Sequence, residues 1–399
     1  MAPTILRPGS VVLLDRVVQD HAVVIEEATI TRVAPSGEVD AGHGDEVIDA
    51  ADQTLAPGFI DLHIHGTHEF LVDNGPEDLS ALCELLPRYG VTGFLPTLSP
   101  LPKGQDAERL ASLARVSPRG AGILGFHLEG PFLARTGAFP EEVLGRADGE
   151  RTRALIEAAR PFRAVFSTSP EFEGLRDLLP LMTEGGGPVF ITHTAATAEE
   201  TRAAIAGGAC HATHFYNVFR APAETEPGVR PSGAVEAILA DPTVSVDFIL
   251  DGVHVAPVTV QMVLECKGPD RVCLITDANA GAGLPPGRYT GVGGLELEFE
   301  SEGAPARLTE RSHMPGALAG SGLTMDRAVR NAVEMLEIDL PLAVRMASTN
   351  PAKVLGLQDR TGRIAEGYDA DLVLLDGDLA VRRTWVAGRS VWGKGENSE

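Results

Sequence analysis

The sequence predicts an α/β fold, a (β/α)8 barrel of the TIM type combined with a small β-sandwich domain formed from both termini. Two observations lead to this prediction. Eight short apolar runs alternate with helical patterns through the middle of the chain, and β-branched segments separated by turns occupy both ends. The predicted barrel domain is residues 56–356, and the two parts of the β domain are residues 1–55 and 357–399.

The β domain is predicted from strand-like segments at the two ends of the chain. Near the N-terminus they are VVLLD, HAVVIEE and TITRVA, and near the C-terminus they are DADLVLLD, LAVRRTWVAG and RSVWG. These segments are rich in β-branched residues and are separated by charged, glycine or proline turns, which is typical of short strands. Because the two ends resemble each other and differ from the middle, we expect them to form one domain.

The barrel is predicted from apolar runs of the kind found in strands that are buried on both faces. The runs are GFIDLHIHG (58–66), VTGFLPT (91–97), GILGFHLEG (122–130), AVFSTSP (164–170), PVFITHT (188–194), ACHATHFYN (209–217), VSVDFILDG (244–252) and RVCLITDA (271–278). Segments such as EDLSALCELLPRYG and TAEETRAAIAGG between them are typical of helices, the second with a glycine C-cap. Eight strands alternating with helices over about 250 residues favour a closed barrel.

A doubly wound open sheet is the alternative fold for an alternating pattern of strands and helices. Such sheets commonly bind nucleotides through a glycine-rich turn at the start of a helix. The chain has no G-x-G-x-x-G that opens a helix and no G-x-x-x-x-G-K-[ST] phosphate loop. The barrel therefore remains the prediction.

Composition restricts the classes of partner. Lys and Arg number 33 against 56 for Asp and Glu, a net charge of −23, which disfavours nucleic acid and anionic membrane surfaces as partners. The N-terminus lacks a signal-peptide pattern, and no apolar run approaches the roughly 20 residues of a membrane span. The four cysteines are scattered and form no C-x-x-C pair, as expected for free thiols. We expect a soluble cytoplasmic protein.

Polar side chains stand where several predicted barrel strands end. His63 and His65 lie on the same side of the first strand, because strand side chains alternate between two faces. The other such side chains are those of Glu129, His193, His214, His254 and Asp277. A single histidine there is more often a packing residue than a ligand. Convergence of seven such groups on the C-terminal rim of a barrel, where active sites lie, predicts a functional site.

Imidazole and carboxylate groups are the usual ligands of catalytic divalent metals. We predict one or two ions, Zn²⁺ as the first choice with Fe²⁺, Mn²⁺ and Co²⁺ left open, and the ligands His63, His65, Glu129, His193 and His214. Glu129 lies on an otherwise apolar strand, where a cation would relieve the cost of burying its charge. His211, before the end of its strand, is interpreted as a supporting or packing residue.

Asp277 ends the eighth predicted strand and has two interpretations. It could cap the loop that follows it. It could instead be the general base that takes a proton from the attacking water and hands it to the leaving group. We favour the general base.

These residues and their surroundings resemble the amidohydrolase superfamily and, within it, the N-acetylglucosamine-6-phosphate deacetylase family. The resemblance covers nearly the whole chain, in PGFIDLHIHG, GFHLEGPF, THTAATAEE, GACHATHFYN, DGVHVAP, TDANAGAGLPPGRY, GALAGSGLTMDRAVRN, ASTNPAKVLG and GRIAEGYDADLVLLD. The H-x-H and G-x-x-A-D-L-V motifs alone signal only the superfamily, whereas HLEGPF, HATH-x-x-N, DGVH and LAGS-x-LTM-x-x-A-x-RN together are specific. The resemblance implies a metal-dependent hydrolase that converts an N-acetyl amino sugar, first N-acetylglucosamine 6-phosphate, into glucosamine 6-phosphate and acetate.

The resemblance also implies roles for individual residues. Glu129, His193 and His214 resemble the principal metal ligands, and His63 and His65 resemble a pair that holds a second ion in some members. Asp277 matches the catalytic aspartate, and His254, the second catalytic residue implied, matches a histidine that contacts the substrate near its amide. The positions that resemble the substrate-binding residues are Ala138, Asn217, Val218, Thr225, Asp251, His254, Leu318, Ala319 and Gly320. A homodimer is also implied.

Two positions depart from the family pattern. The family usually carries His-Arg before Glu-Pro-Gly, and its arginine binds the sugar phosphate, whereas this chain has Glu224 and Thr225 there. The family also tends to have a histidine where this chain has Phe139. Arg220 and Arg230 are near in sequence and could replace the missing arginine. A deacetylase of an unphosphorylated or differently substituted N-acetyl hexosamine is therefore the alternative function.

Two further functions fit parts of the pattern. A cyclic-amide hydrolase such as a dihydroorotase or hydantoinase usually carries a carboxylated lysine at the end of the fourth barrel strand. That strand is AVFSTSP here, and none of the four lysines, Lys103, Lys267, Lys353 and Lys394, ends a predicted strand. A metal-binding scaffold without catalysis would be expected to lack Asp277 or a metal ligand, yet all of these residues are present.

Overall fold

The structure, a computed structural model, describes residues 2–139 and 146–393. Its strands, in chain order, are β1 (Thr4–Val12), β2 (Val17–Gln19), β3 (His21–Glu26), β4 (Thr29–Pro35), β5 (Glu46–Pro57), β6 (Phe59–Ile64), β7 (Gly66–Thr67), β8 (Phe70–Leu71), β9 (Val91–Leu98), β10 (Gly122–Ile123), β11 (Phe126–Glu129), β12 (Ala164–Thr168), β13 (Val189–Ile191), β14 (Ala209–Ala212), β15 (Ser245–Ile249), β16 (Val272–Ile275), β17 (Gly287–Thr290), β18 (Glu296–Phe299), β19 (Pro305–Leu308), β20 (Leu318–Ser321), β21 (Leu372–Leu375), β22 (Val381–Val386) and β23 (Arg389–Trp392). The α-helices are α1 (Pro76–Leu85), α2 (Gln105–Leu113), α3 (Gly149–Ala158), α4 (Leu175–Glu184), α5 (Ala198–Ala206), α6 (Ala234–Ala240), α7 (Pro257–Lys267), α8 (Met325–Leu336), α9 (Leu340–Ala347) and α10 (Thr349–Val354).

The central element is a barrel of eight parallel strands, β6, β9, β11, β12, β13, β14, β15 and β16. Parallel pairing runs from β6 through β9 and on to β16. A parallel bridge between Ile64 of β6 and Ala278, just after β16, joins the first strand to the last. Each barrel strand overlaps one of the eight predicted runs, so the prediction of a (β/α)8 barrel is confirmed.

The barrel strands are buried on both faces, as their continuous apolar character predicted. Their aromatic side chains are fully buried and include those of Phe59, Phe94, Phe126, Phe166, Phe190 and Phe248. Among the helices around them, α5 starts with a capping box between Thr197 and Glu200 and ends at Gly207 and Gly208. Gly208 has a φ of 113°, which favours glycine and stops the helix before β14. None of the helices in the described ranges is long and apolar enough to cross a bilayer.

Strands from both ends of the chain form one mixed sheet, in the order β23-β22-β21-β5-β1-β3-β4, with β2 paired to β1. Strand β5 joins the two ends, since it pairs parallel with β1 and antiparallel with β21. A shared apolar core includes Leu6, Leu55, Leu372 and Trp385. The expectation that both termini build one β domain is thereby confirmed. The boundary predicted at residue 55 falls within β5, and the boundary at residue 356 falls just after α10; both remain predictions.

A four-stranded antiparallel sheet, β17 to β20, lies between β16 and α8 and was not predicted. Its last strand approaches the mouth of the barrel. Ser321 donates its N–H to the Asp277 carbonyl at 2.8 Å and its hydroxyl to the Thr276 carbonyl at 2.5 Å. These bonds place the backbone of Leu318–Ser321 beside the end of β16.

The terminal sheet offers a test of its core. Replacing Trp385, which is 2% exposed, by alanine should lower the free energy of unfolding by about 3–5 kcal/mol, because a large buried side chain leaves a cavity. Trp392, on β23, is 38% exposed, and its replacement should change that free energy by less than about 1 kcal/mol. Urea unfolding followed by circular dichroism compares the two variants. Equal losses would contradict the placement of Trp385 in the core.

Candidate active site

Glu129, the last residue of β11, lies at the centre of a cluster of four imidazoles. Its Oε1 is 3.1 Å from His193 Nε2 and 3.0 Å from His214 Nε2. Its Oε2 is 3.0 Å from His65 Nε2 and 3.4 Å from His63 Nε2. Each carboxylate oxygen therefore contacts two imidazoles, and all five residues predicted as metal ligands come together.

The positions of the predicted ligands follow from the strand ends. His63 lies within β6, while His193 and His214 each stand two residues beyond β13 and β14. Asp277 stands two residues beyond β16 in the same way. His193, His214 and Asp277 have positive φ values of 48°, 35° and 45°. This left-handed backbone is uncommon outside glycine and costs about 1–3 kcal/mol per residue, so it is typical of functional positions.

Hydrogen bonds to the second ring nitrogen orient the imidazoles. His193 Nδ1–H donates to the Arg135 carbonyl at 3.1 Å, and His214 Nδ1–H donates to the Asn217 carbonyl at 3.2 Å. His63 Nδ1 lies 3.0 Å from the Thr213 hydroxyl. Because a carbonyl only accepts, the Nε2 atoms of His193 and His214 carry a proton that Glu129 accepts only when the ring is protonated, and in the neutral ring they carry lone pairs that point at Glu129. Lone pairs facing a carboxylate repel it unless a positive charge lies between them, so these donors fit a divalent cation.

Charge within the cluster follows from burial and from Glu129. Burial lowers the pKa of His65 and His214, but hydrogen bonds and attraction from Glu129 outweigh it and raise both pKa values to about 9. For His193 burial prevails and the pKa is lowered. Burial favours a raised pKa for Glu129, but the charge of His63 and the hydrogen bonds from His193 and His214 hold it well below its usual range. The carboxylate is therefore an anionic centre that attracts a proton or a metal ion.

His211 does not contact Glu129 but supports the cluster through Asp247. Its Nε2 lies 2.8 Å from one oxygen of Asp247, and its Nδ1 lies 2.8 Å from the Ser245 hydroxyl. The other oxygen of Asp247 accepts the His214 N–H at 2.5 Å and the Thr213 hydroxyl at 3.2 Å. Since all these side chains are buried, the network fixes the backbone of His214 and the orientation of His63.

Asp277 lies beside the cluster on its open side. Its Oδ1 is 3.4 Å from His63 Nε2 and 3.5 Å from His65 Nε2. Its side chain is 12% exposed, against 4% for Glu129, and both carboxylates line the cavity into which the cluster opens.

The cluster opens into a cavity of 890 Å³, a size suited to a small-molecule ligand. Six of the predicted substrate-binding residues line it: Ala138, Asn217, Val218, Leu318, Ala319 and Gly320. Sequence reasoning missed Arg135, Tyr216 and Asn279, which also line it. In the sequence, Arg135 lies shortly after the HLEGPF motif, Tyr216 lies shortly after HATH, and Asn279 lies within TDANAG; these were the signals that could have identified them.

Three predicted residues do not line this cavity. Thr225 is exposed, as is its neighbour Glu224. His254 donates from Nδ1 to Asp251 at 2.7 Å, and Asp251 lines a second cavity of 280 Å³. Burial opposes ionisation of Asp251, but the hydrogen bond and charge of His254 lower its pKa. The predicted substrate contacts of these three residues remain predictions.

The lysine-based alternative finds no support in the described residues. Strand β12 ends at Thr168, and Ser167 and Thr168 are buried there without a neighbouring lysine in the sequence. Neither Lys103, Lys267 nor Lys353 lines the cavity. Lys394 lies outside the described residues. Glu129 occupies the position between the two groups of histidines.

Comparison with known proteins agrees with this geometry. The chain matches the amidohydrolase family over residues 54–391. It is 32% identical to N-acetylgalactosamine-6-phosphate deacetylase of Escherichia coli O157:H7, over 93% of this chain and 94% of the relative. It is 33% identical to N-acetylglucosamine-6-phosphate deacetylase of Lysinibacillus sphaericus, over 87% of each chain.

Solved structures give the same result. A mutant N-acetyl-D-glucosamine-6-phosphate deacetylase of Mycobacterium smegmatis, in complex with N-acetyl-D-glucosamine-6-phosphate, superposes with a TM-score of 0.85 at 29% identity, over 98% of this chain and 100% of that one. The deacetylase of Thermotoga maritima gives a TM-score of 0.80 at 31% identity, over 97% and 99%. The chain is therefore an amidohydrolase, and it belongs to the family of the N-acetylglucosamine-6-phosphate deacetylases.

Proposed function

We propose that the protein hydrolyses the acetamide of an N-acetyl hexosamine 6-phosphate, first N-acetylglucosamine 6-phosphate, to the amino sugar phosphate and acetate. The observation that carries this proposal is Asp277, placed beside a carboxylate–imidazole cluster at the base of a substrate-sized cavity. The names of the relatives support the same reaction. Acetate release from phosphorylated and unphosphorylated N-acetyl hexosamines tests it directly.

The proposed metal ligands are the five residues of the cluster, His63, His65, Glu129, His193 and His214, whose ligand atoms form two groups that share Glu129. When bound there, a divalent cation polarises a carbonyl and lowers the pKa of water. Zn²⁺ is the first choice because neutral imidazole and carboxylate are its common ligands, and Fe²⁺, Mn²⁺ and Co²⁺ suit the same donors. The two groups allow one ion or two.

Asp277 is the proposed general base and acid. Its carboxylate accepts a proton from the attacking water and donates that proton to the departing amine nitrogen. The backbone of Asp277 is fixed on both sides, since its N–H donates to the His63 carbonyl and its carbonyl accepts from Ser321, each at 2.8 Å. Because its backbone is fixed, the carboxylate stays within reach of both the attacking water and the departing amine nitrogen.

The sugar is proposed to lie between two segments of the cavity wall. One contains Asn217 and Val218 of the loop after β14, and the other is the backbone of Leu318–Gly320 on β20. A second candidate substrate is the galactosamine epimer, because a relative of similar identity carries that name. The same panel of N-acetyl hexosamine phosphates separates the two epimers.

We also propose that two chains form a homodimer in the cytoplasm. An apolar surface suited to such contact includes Val253, Val258 and Met262, which are 50%, 67% and 46% exposed. Val258 and Met262 lie one turn apart on one face of α7. The four cysteines carry no disulfide, which suits a reducing compartment. Sedimentation of the purified protein measures the oligomeric state.

Metal binding should depend on pH and on His214. The metal must displace protons from His65 and His214, whose pKa values are about 9, so the apparent affinity should rise about 10- to 100-fold per pH unit up to about pH 9. Titration of chelator-treated protein between pH 6 and pH 9 measures this dependence. His214→Ala should lose bound metal, whereas His254→Ala should retain it. A flat pH profile, or full metal content in His214→Ala, would contradict the ligand assignment.

Asp277→Asn separates chemistry from binding. The amide keeps the shape of the carboxylate but cannot accept a proton, so kcat should fall by about 10²–10⁴-fold. Metal content and the circular dichroism spectrum should stay unchanged, because Asp277 is not among the proposed ligands. Turnover close to that of the unmodified enzyme would place the general base elsewhere.

A further inference from the structure

Two arginines enter the wall of the active-site cavity, although Thr225 stands where the family carries its phosphate-binding arginine. Arg135 lies in the loop after β11, and Arg220 lies in the loop after β14. Within the described residues, neither side chain forms a hydrogen bond or an ion pair with a carboxylate, and the buried Nε of Arg135 has no partner. Burying a guanidinium N–H that has no hydrogen-bond acceptor is unfavourable unless a bound ligand supplies the acceptor.

The backbones of Arg135 and Arg220 form hydrogen bonds with two consecutive residues just after β13. The Arg135 carbonyl accepts from His193 Nδ1–H at 3.1 Å, and the Arg220 N–H donates to the Thr194 carbonyl at 2.8 Å. The two loops also pack together, since a Cβ at Gly137 would lie 2.7 Å from His193 and 3.6 Å from Val218. The two arginines therefore enter the same side of the cavity.

Among the described residues, the charged neighbours outside the catalytic cluster do not line this side of the cavity. Glu171 accepts from the Thr194 hydroxyl and the Ala195 N–H, each at 2.6 Å, and does not line it. Arg230, the other nearby arginine, is 90% exposed and pairs with Glu236 at 3.5 Å, so it is directed away from the cavity. Glu224 and Glu226 are exposed and do not line the cavity. The carboxylates that do line it, Glu129 and Asp277, belong to the catalytic cluster.

We propose that Arg135 and Arg220 together bind the anionic 6-substituent of the substrate, a phosphate monoester, and thereby make the enzyme selective for phosphorylated N-acetyl hexosamines. This proposal rests on the proposed deacetylation. A guanidinium presents two parallel N–H groups that match two phosphate oxygens, and two guanidiniums offset the charge of a phosphate dianion. The hydroxyl of Thr225 has neither two parallel N–H groups nor a positive charge.

The test compares kcat/KM for N-acetylglucosamine 6-phosphate and for N-acetylglucosamine in the metal-loaded enzyme. The unmodified enzyme should prefer the phosphorylated sugar. In Arg135→Gln and in Arg220→Gln the ratio of the two values should fall by about 10–10²-fold, mainly through KM for the phosphorylated sugar. Both substitutions retain the backbone hydrogen bonds of the loops. Arg220→Lys should recover part of the preference, and Arg230→Gln should leave it unchanged.

A parallel titration with inorganic phosphate separates this proposal from the proposed function. Phosphate should bind the metal-loaded enzyme, and the variant that combines Arg135→Gln and Arg220→Gln should bind it at least about tenfold more weakly. Deacetylation of both sugars without a phosphate preference would overturn the arginine subsite and leave the proposed function intact. Arginine-dependent phosphate binding without deacetylation of either sugar would overturn the proposed function and leave the subsite. Equal losses on the two sugars would assign the arginines a structural role.

Discussion

The buried carboxylate of Glu129 is the constraint on which the rest of the active site depends. An ionised carboxylate in an apolar barrel is strongly unfavourable alone, so its charge must be matched by its neighbours. Four imidazoles from β6, β13 and β14 or the residues after them surround it at 3.0–3.4 Å. Their outer nitrogens are held by oxygens, so the inner nitrogens face inward. The strained backbone at His193 and His214 is therefore a cost of bringing the ligands to one carboxylate.

The carboxylate–imidazole cluster and the wall of the cavity are built from different parts of the barrel. The cluster stands on strand ends, where neighbouring strands restrict each side chain, whereas the cavity wall comes from loops and from β17 to β20. Tyr216 and Val218 in the loop after β14 have φ values of 76° and 57°, and a left-handed valine persists only where its surroundings hold it. The Thr194 N–H donates to the Val218 carbonyl at 3.0 Å, and the Thr194 carbonyl accepts from the Arg220 N–H at 2.8 Å. Loops can therefore change their substrate contacts while the strand ends keep their geometry.

The sequence was informative where local pattern determines structure. Eight continuous apolar runs predicted eight barrel strands, and the polar residues at their ends predicted the cluster, because parallel strands bring those ends together. The sequence was uninformative where contacts between residues far apart in the chain determine the structure. Strands β17 to β20 have only four residues each, and β17, β19 and β20 contain glycine or proline, so the alternating run LELEFE around β18 is the main local sign of this sheet. Arg135, in the cavity wall, accepts a bond at its carbonyl from His193, 58 residues away, and His254, which donates to Asp251, does not line that cavity.

Phe139, one of the two departures from the family pattern, contacts two of the imidazoles that surround Glu129. Its ring stacks on His193 with centroids 6.1 Å apart and meets His65 edge to face at 6.2 Å. An apolar ring over two imidazoles excludes water from that side of the cluster, and charges interact more strongly where water is excluded. It also places no polar atom where the family tends to carry a histidine. With Phe139 apolar and Thr225 exposed, the polar side chains that line the cavity outside the cluster include Asn217, Arg135 and Arg220, and these are the groups available to a polar ligand.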